Sequence, residues 1–205
     1  MRNTYATLLS DQTQPNGILR LLTLADNETH GARLPSLTSA NDIRDFVRYL
    51  KRKSAGVVAA EELDKSRRRL FEERKLQAYR SLGITEEDEG LLTLSPLGWE
   101  LATRLEPETE GFRQLLSRIP AYLAALKWMY ERNLEVVTST DLLAFWRYSD
   151  QTEQHDHEVM RGAAISFFSL CEAAELGTLT LGKRGHMTRL RVDHDELTRF
   201  PFGPS

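Results

Sequence analysis

The sequence predicts a mainly α-helical fold carrying two short β-hairpins, and three observations predict it. Apolar residues recur at helical spacing in several runs, among them Leu70, Phe71, Leu76, Tyr79 and Leu82, and later Leu115, Leu116, Ile119, Tyr122, Leu123, Leu126, Met129 and Tyr130. Two helical runs end in Leu-Gly, at Leu82-Gly83 and Leu176-Gly177, each followed by two strand-length segments around a polar turn. This helix, Leu-Gly, hairpin order occurs twice and is the chain's one internal repeat.

Taken in order, Met1 to Asn16 is a polar lead-in, and Gly17 to Ala25 is a short apolar helix built on Ile18, Leu19, Leu21, Leu22 and Leu24. Asn27 to Ser39 reads as a loop, punctuated by Gly31 and Pro35, and either Ser39 or Asn41 can cap the helix that follows. That helix turns Ile43, Phe46, Val47 and Leu50 inward and leaves Arg44, Arg48, Lys51, Arg52 and Lys53 on its other faces until Ser54-Ala55-Gly56 breaks it. Val57 to Gly83 is too long for one short helix and divides near Asp64 to Ser66, although one long helix through Arg67 also satisfies the pattern. Gly83 closes it, because a left-handed residue without a Cβ ends a helix without strain. Ile84-Thr85 and Leu91 to Leu94 flank the acidic turn Glu86 to Gly90, and Ser95 then caps a helix with Pro96 at its first position.

In the second half, Phe112 to Asn133 is amphipathic, and Pro120 must kink or restart it. A short strand at Leu134 to Val137 precedes Thr138-Ser139-Thr140-Asp141, a cap-rich start for a helix containing Leu142, Leu143, Phe145 and Trp146. Ser149 to Asp156 is a loop, Glu158 to Leu176 a helix ended by Gly177, and Thr178 to Leu181 and Met187 to Val192 are strands. Phe200 to Ser205 reads as a tail. Leu82, Trp99, Leu123, Leu126, Trp146, Phe168 and Leu176 are the core positions this register requires.

The run Leu82-Gly83-Ile84, a hairpin, then Leu94-Ser95-Pro96-Leu97-Gly98-Trp99-Glu100-Leu101-Ala102 is similar to the Leu-Gly, hairpin, Leu-(Ser/Thr)-Pro-x-Gly-x-x-Leu-Ala run of bacterial and archaeal winged helix-turn-helix proteins. Phe167 to Gly177 with its hairpin looks like a second such module. The pair resembles an uncharacterised prokaryotic family of tandem winged-helix proteins. The resemblance implies two winged helix-turn-helix modules in tandem, each with a short β-hairpin wing, over residues 17–106 and 111–195.

Charge narrows the function. The net charge of −3 argues against a protein that coats nucleic acid along its whole surface, so a basic footprint must be local. From Arg44 to Arg80 the chain carries twelve Lys/Arg against six Asp/Glu; from Glu86 to Glu110 it carries one against eight. The candidate nucleic-acid contacts are Lys51, Arg52, Lys53, Arg67, Arg68, Arg69 and Arg74 of the first module, with Lys75 and Arg80 on or near the same helix. From the second wing come Lys183, Arg184 and Arg189, beside His186 and Arg191. The first wing, Glu86 to Glu89, opposes phosphate, and the second module's helix is apolar and faintly acidic.

The lone Cys171 excludes an intrachain disulfide framework and suits a buried thiol in a reducing compartment. There is no signal-type or membrane-spanning apolar run in the sequence, so the expected location is the cytoplasm. His155, Asp156 and His157 fit no zinc spacing, no phosphate loop or hydrolase motif is present, and no cofactor is implied. The expectation is therefore a non-enzymatic DNA-binding regulator or accessory factor, able to work as a homodimer. The alternative is an adaptor using the same modules to hold a protein partner in a larger complex.

Overall fold

In the computed structural model of the chain, the described residues are 34–53, 57–59, 69–88, 91–103, 107–149, 157–183 and 186–202. The apolar helix expected before Ala25 lies outside them. Helix α1 (Ala40–Lys51) begins at Ser39, whose hydroxyl accepts from the Asp42 N–H while the Asp42 carboxylate accepts from the Ser39 N–H at 3.0 Å. This reciprocal pair satisfies two of the donors a helix start leaves open. Ile43, Phe46, Val47 and Leu50 face inward as their spacing requires.

Val57–Ala59 is a strand, β1, where a helix was expected; its partner, β3 (Leu91–Leu94), lies far along the chain. The next helix is also shorter than its apolar pattern suggests. Arg69 and Leu70 form a 3₁₀ turn, Phe71 turns inward to rings Phe46 and Tyr49 at 5.5 and 5.2 Å, and α2 runs only over Glu73–Ser81. Gly83, at φ 68°, closes α2; its N–H bonds Arg80 O and the Ile84 N–H reaches back to Tyr79 O. Strand β2 (Thr85–Asp88) then pairs with β3. Ser95 joins this hairpin to α3 (Pro96–Thr103), its hydroxyl donating to Gly83 O at 2.6 Å and accepting from the Gly98 N–H at 3.0 Å.

Pro120 restarts the long amphipathic stretch. Helix α4 (Glu108–Arg118) ends at Ile119, which is extended, and α5 (Pro120–Glu131) starts with the proline at its first position. Strand β4 (Val136–Thr138) leads into α6 (Ser139–Tyr148), opened by Thr138 and Asp141 in the same capping box as Ser39 and Asp42. Helix α7 (His157–Ala173), β5 (Gly177–Thr180) and β6 (Arg189–Val192) follow.

Two corrections fall here. The left-handed residue that closes α7 is Glu175, at φ 58°, and the bonds Glu175 N–H to Glu172 O and Leu176 N–H to Cys171 O repeat those at Gly83. Gly177 is needed for another reason, since a Cβ there would strike Arg191 O across the sheet. The expected tail starts with a buried Phe200, preceded by a short helix α8 (His194–Thr198) that Asp193 caps through the N–H groups of Asp195 and Glu196.

The fold is thus mainly helical with two three-stranded antiparallel sheets, ordered β1-β3-β2 and β4-β6-β5. Leu82, Leu126, Trp146, Phe168 and Leu176 are buried in one contiguous apolar cluster, with Trp99 and Leu123 half-buried against it. Among the described residues no helix is long and apolar enough to cross a membrane.

Helix α7 is the centre of this cluster. It packs against α1, α4 and α6, and Gly162, Ser166 and Ser169, which share one of its faces, receive the chain entering α1. Leu37 lies over Gly162, where a Cβ would come within 3.3 Å of its Cδ2. The Thr38 N–H donates to Ser166 Oγ and the Ala40 N–H to Ser169 Oγ, each at 3.0 Å. Leu37 itself is left-handed, at φ 57°, where it seats on α7.

Candidate nucleic-acid interface

Along α1, Asp42, Asp45, Arg48, Tyr49 and Arg52 fall on one stripe because their separations of three and four match the helical turn. The 3₁₀ turn brings Arg69 and Leu70 up to that stripe, and together these residues line an open groove of about 470 Å³. Arg69 extends across it to Asp42 at 3.6 Å with 81% of its side chain exposed. Arg48 approaches Asp45 at 3.7 Å, also in solvent, so neither pair holds its cation strongly. Lys53 Nζ lies 5.2 Å from the Tyr49 ring centre, adding a cation at the groove's end.

The acidic members of this groove are not spare charges. Asp42 binds the Ser39 cap and receives a 2.9 Å hydrogen bond from Lys75 Nζ, the two side chains being only 10% and 6% exposed. Burial pushes the Asp42 carboxyl up, but the bonds from Lys75 and from the Ser39 N–H and hydroxyl outweigh it and hold the group below its ordinary value. Beneath them Tyr79 is fully buried, stacked on Phe46 at 4.0 Å. Burial first, and then the charges of Asp42 and Asp45, push its phenol far above the ordinary range.

The candidate contacts named from the sequence therefore divide. Arg52 and Arg69 meet in one groove with Arg48, which is not among the contacts expected from the sequence. Arg69 precedes α2 rather than riding on it. Lys51 turns away from the groove to donate to Ala102 O at 3.2 Å. Lys75, expected beside the candidate contacts on or near this helix, is buried in the ion pair with Asp42 and cannot reach a phosphate. Arg80 is tied to Glu87 on β2, so part of the hairpin's acidic charge is neutralised from within the fold. Arg74 is exposed on α2 near Gln77 and Ser81. Arg67, Arg68 and Arg184 lie outside the described residues.

In the second sheet the pleat sorts the side chains cleanly. Val137 and Leu190 are buried and Leu179 half-buried on the inner face. Opposite them lie Thr138, Arg189 and Thr180, and then Val136, Arg191 and Thr178. Arg189 and Arg191 are exposed and have no ion pair among the described residues; Lys183 and His186 are exposed near the turn. The outer face of the first sheet carries Glu86 and Thr93 at the matching place. Helix α7, which precedes the basic hairpin, is covered along most of its length and exposes only His157, Glu158, Arg161 and Glu172.

Burial pushes the Cys171 thiol well above its ordinary value, which leaves it inert as a nucleophile at neutral pH. Among the described residues no three His, Cys, Asp or Glu side chains are grouped to hold a metal; of the His155, Asp156 and His157 corner only His157 is described. No protein-family model, curated protein or solved structure matches the chain.

Proposed function

We propose that the chain is a DNA-binding protein made of two winged-helix modules, and that it grips duplex DNA through the first. The identical strand orders β1-β3-β2 and β4-β6-β5, each hairpin preceded by a helix with the same closing bonds, support the tandem reading. The observation that carries the function is the α1 groove, where Arg48, Arg52 and Arg69 converge with exposed side chains. Such a row attracts a phosphodiester backbone by displacing its counterions, a contact that carries no base sequence by itself. Helix α7 is too covered to enter a major groove, so the second module contributes Arg189 and Arg191 as backbone contacts and a platform for the first.

The test is fluorescence anisotropy on a labelled duplex at several salt concentrations, with the unaltered protein and an Arg48→Ala, Arg52→Ala, Arg69→Ala triple variant. The slope of log K against log salt falls by about 0.9 for each phosphate contact removed. Absence of salt-dependent binding by the unaltered protein at about 50 mM salt ends the reading.

The covered α7 and the acidic Glu86 favour a second reading, an adaptor that holds a protein partner. In that case the triple variant keeps its partner, and duplex affinity is absent at every salt concentration.

A further inference from the structure

A cavity of about 270 Å³ lies where α2, the strand-like entry to α1 and the first turn of α7 meet. Its floor is apolar, formed by Leu34, Pro35, Ala78 and Val159, and its polar groups are Arg74, Gln77, Ser36 and Ser81. The polar set is rich in donors that have no partner among the described residues. Arg74 makes no hydrogen bond or ion pair among the described residues, and neither do the Ser36 and Ser81 hydroxyls. The other cations of α2 are engaged, Lys75 by Asp42 and Arg80 by Glu87 and Glu73. The Gln77 amide donates to Glu73, and its carbonyl has no donor among the described residues.

We propose that this cavity binds a small carboxylate with an apolar body, the carboxylate on Arg74 and the serine hydroxyls, the body on Ala78, Pro35 and Val159. A guanidinium presents paired N–H groups that match both carboxylate oxygens, and the apolar floor selects against a fully hydrated anion such as phosphate. At about 270 Å³ the space lies just below the roughly 300–1,000 Å³ of small-molecule sites, which suits a ligand as small as benzoate. The ligand would cover the Arg74, Gln77 and Ser81 face of α2, a set of side chains separate from the Arg48, Arg52 and Arg69 groove that carries the DNA-binding reading. It would also bridge α2 to α7, joining the two halves at the place where the chain entering α1 already straps them.

The experiment titrates benzoate and hexanoate, with benzamide as the uncharged control, into the full-length protein, followed by calorimetry and by amide chemical shifts of residues 74–81. The expected result is saturable binding of a carboxylate, weakened about tenfold or more in benzamide and in Arg74→Met. Val159→Trp, which fills the cavity from the α7 side, abolishes carboxylate binding and leaves duplex affinity unchanged. No saturable shift with either carboxylate, or equal binding by Arg74→Met, overturns the site. Carboxylate binding in a protein that never binds duplex keeps the site, so the two readings fail separately.

Discussion

The two halves of the molecule use the same strand order and the same closing turn, yet they fill the matching place beneath that turn with opposite chemistry. Lys75 and Phe167 each stand eight residues before the left-handed residue that ends their helix, Gly83 and Glu175. Lys75 pairs with Asp42 near the start of α1. Phe167 packs against Tyr122, near the start of α5, at 5.0 Å, and against Trp146 and Phe168 at 5.9 Å. The surfaces differ in the same sense, with Glu86 on the outer face of the first sheet and Arg191 and Arg189 on that of the second. The backbone plan tolerates either an ion pair or an aromatic cluster at its centre, and the choice sets how each half responds to mutation and to acid.

The sharpest way to break the comparison is truncation at these two places. Phe167→Ala should cost about 3–5 kcal/mol, because it opens a cavity among rings that are themselves fully buried. Lys75→Met should cost about 3 kcal/mol, most of it from leaving the Asp42 charge buried without its principal partner. Urea denaturation of both variants checks the order; a loss below about 1 kcal/mol in Lys75→Met would mean the pair behaves as a surface one.

A smaller effect, opposite in sign between the halves, is expected at the closing residues. Gly83→Ala places a Cβ on a left-handed backbone and should destabilise by about 1 kcal/mol, while Glu175→Gly removes that strain and should stabilise by about 0.5–1 kcal/mol. Melting temperatures that fall in both variants would contradict the equivalence of the two turns.

The smallest effect is on acid titration. The folded-state value of Asp42 is held below its ordinary 3.8, so its contribution is complete above that value and is lost as pH falls through the lowered one. Stability of the unaltered protein should decline over that window, and Asp42→Asn should flatten the decline. An unchanged pH profile in the variant would place the acid sensitivity elsewhere, for instance at Glu196, whose carboxyl the Arg113 hydrogen bond also lowers.

Much of this plan was legible in the residues, because local signals agreed with the global answer. The Ser39 and Thr138 caps, the closing Gly83, the Pro120 restart and both hairpins follow from side-chain chemistry within a few residues. What was hidden depends on distant partners. Val57–Ala59 becomes a strand only because β3 lies beside it, and its three residues carry too little alternation to reveal that. Glu175 adopts a conformation its own side chain disfavours, with Gly177 two residues on as a misleading stop signal. Asp193, by contrast, carries a cap signal in the sequence itself, with Asp195 and Glu196 behind it. At the candidate site, the stripe of Arg48 and Arg52 could be drawn from helical spacing, but Arg69 joining it and Lys75 leaving it could not. Both depend on Asp42, a residue whose capping role conceals its second task.

The strap from Leu37 to Ala40 makes one helix the common property of both halves. Its amides are held by Ser166 and Ser169, so they can exchange with solvent only when the strap leaves α7. Deuterium uptake at Thr38 and Ala40 would therefore report the opening of the seam itself, residue by residue, between two halves that share no strand among the described residues. If those amides are as protected as the middle of α7, the two sheets and their helices form a single cooperative foldon. The two halves then melt together, and neither can open without exposing the other's centre.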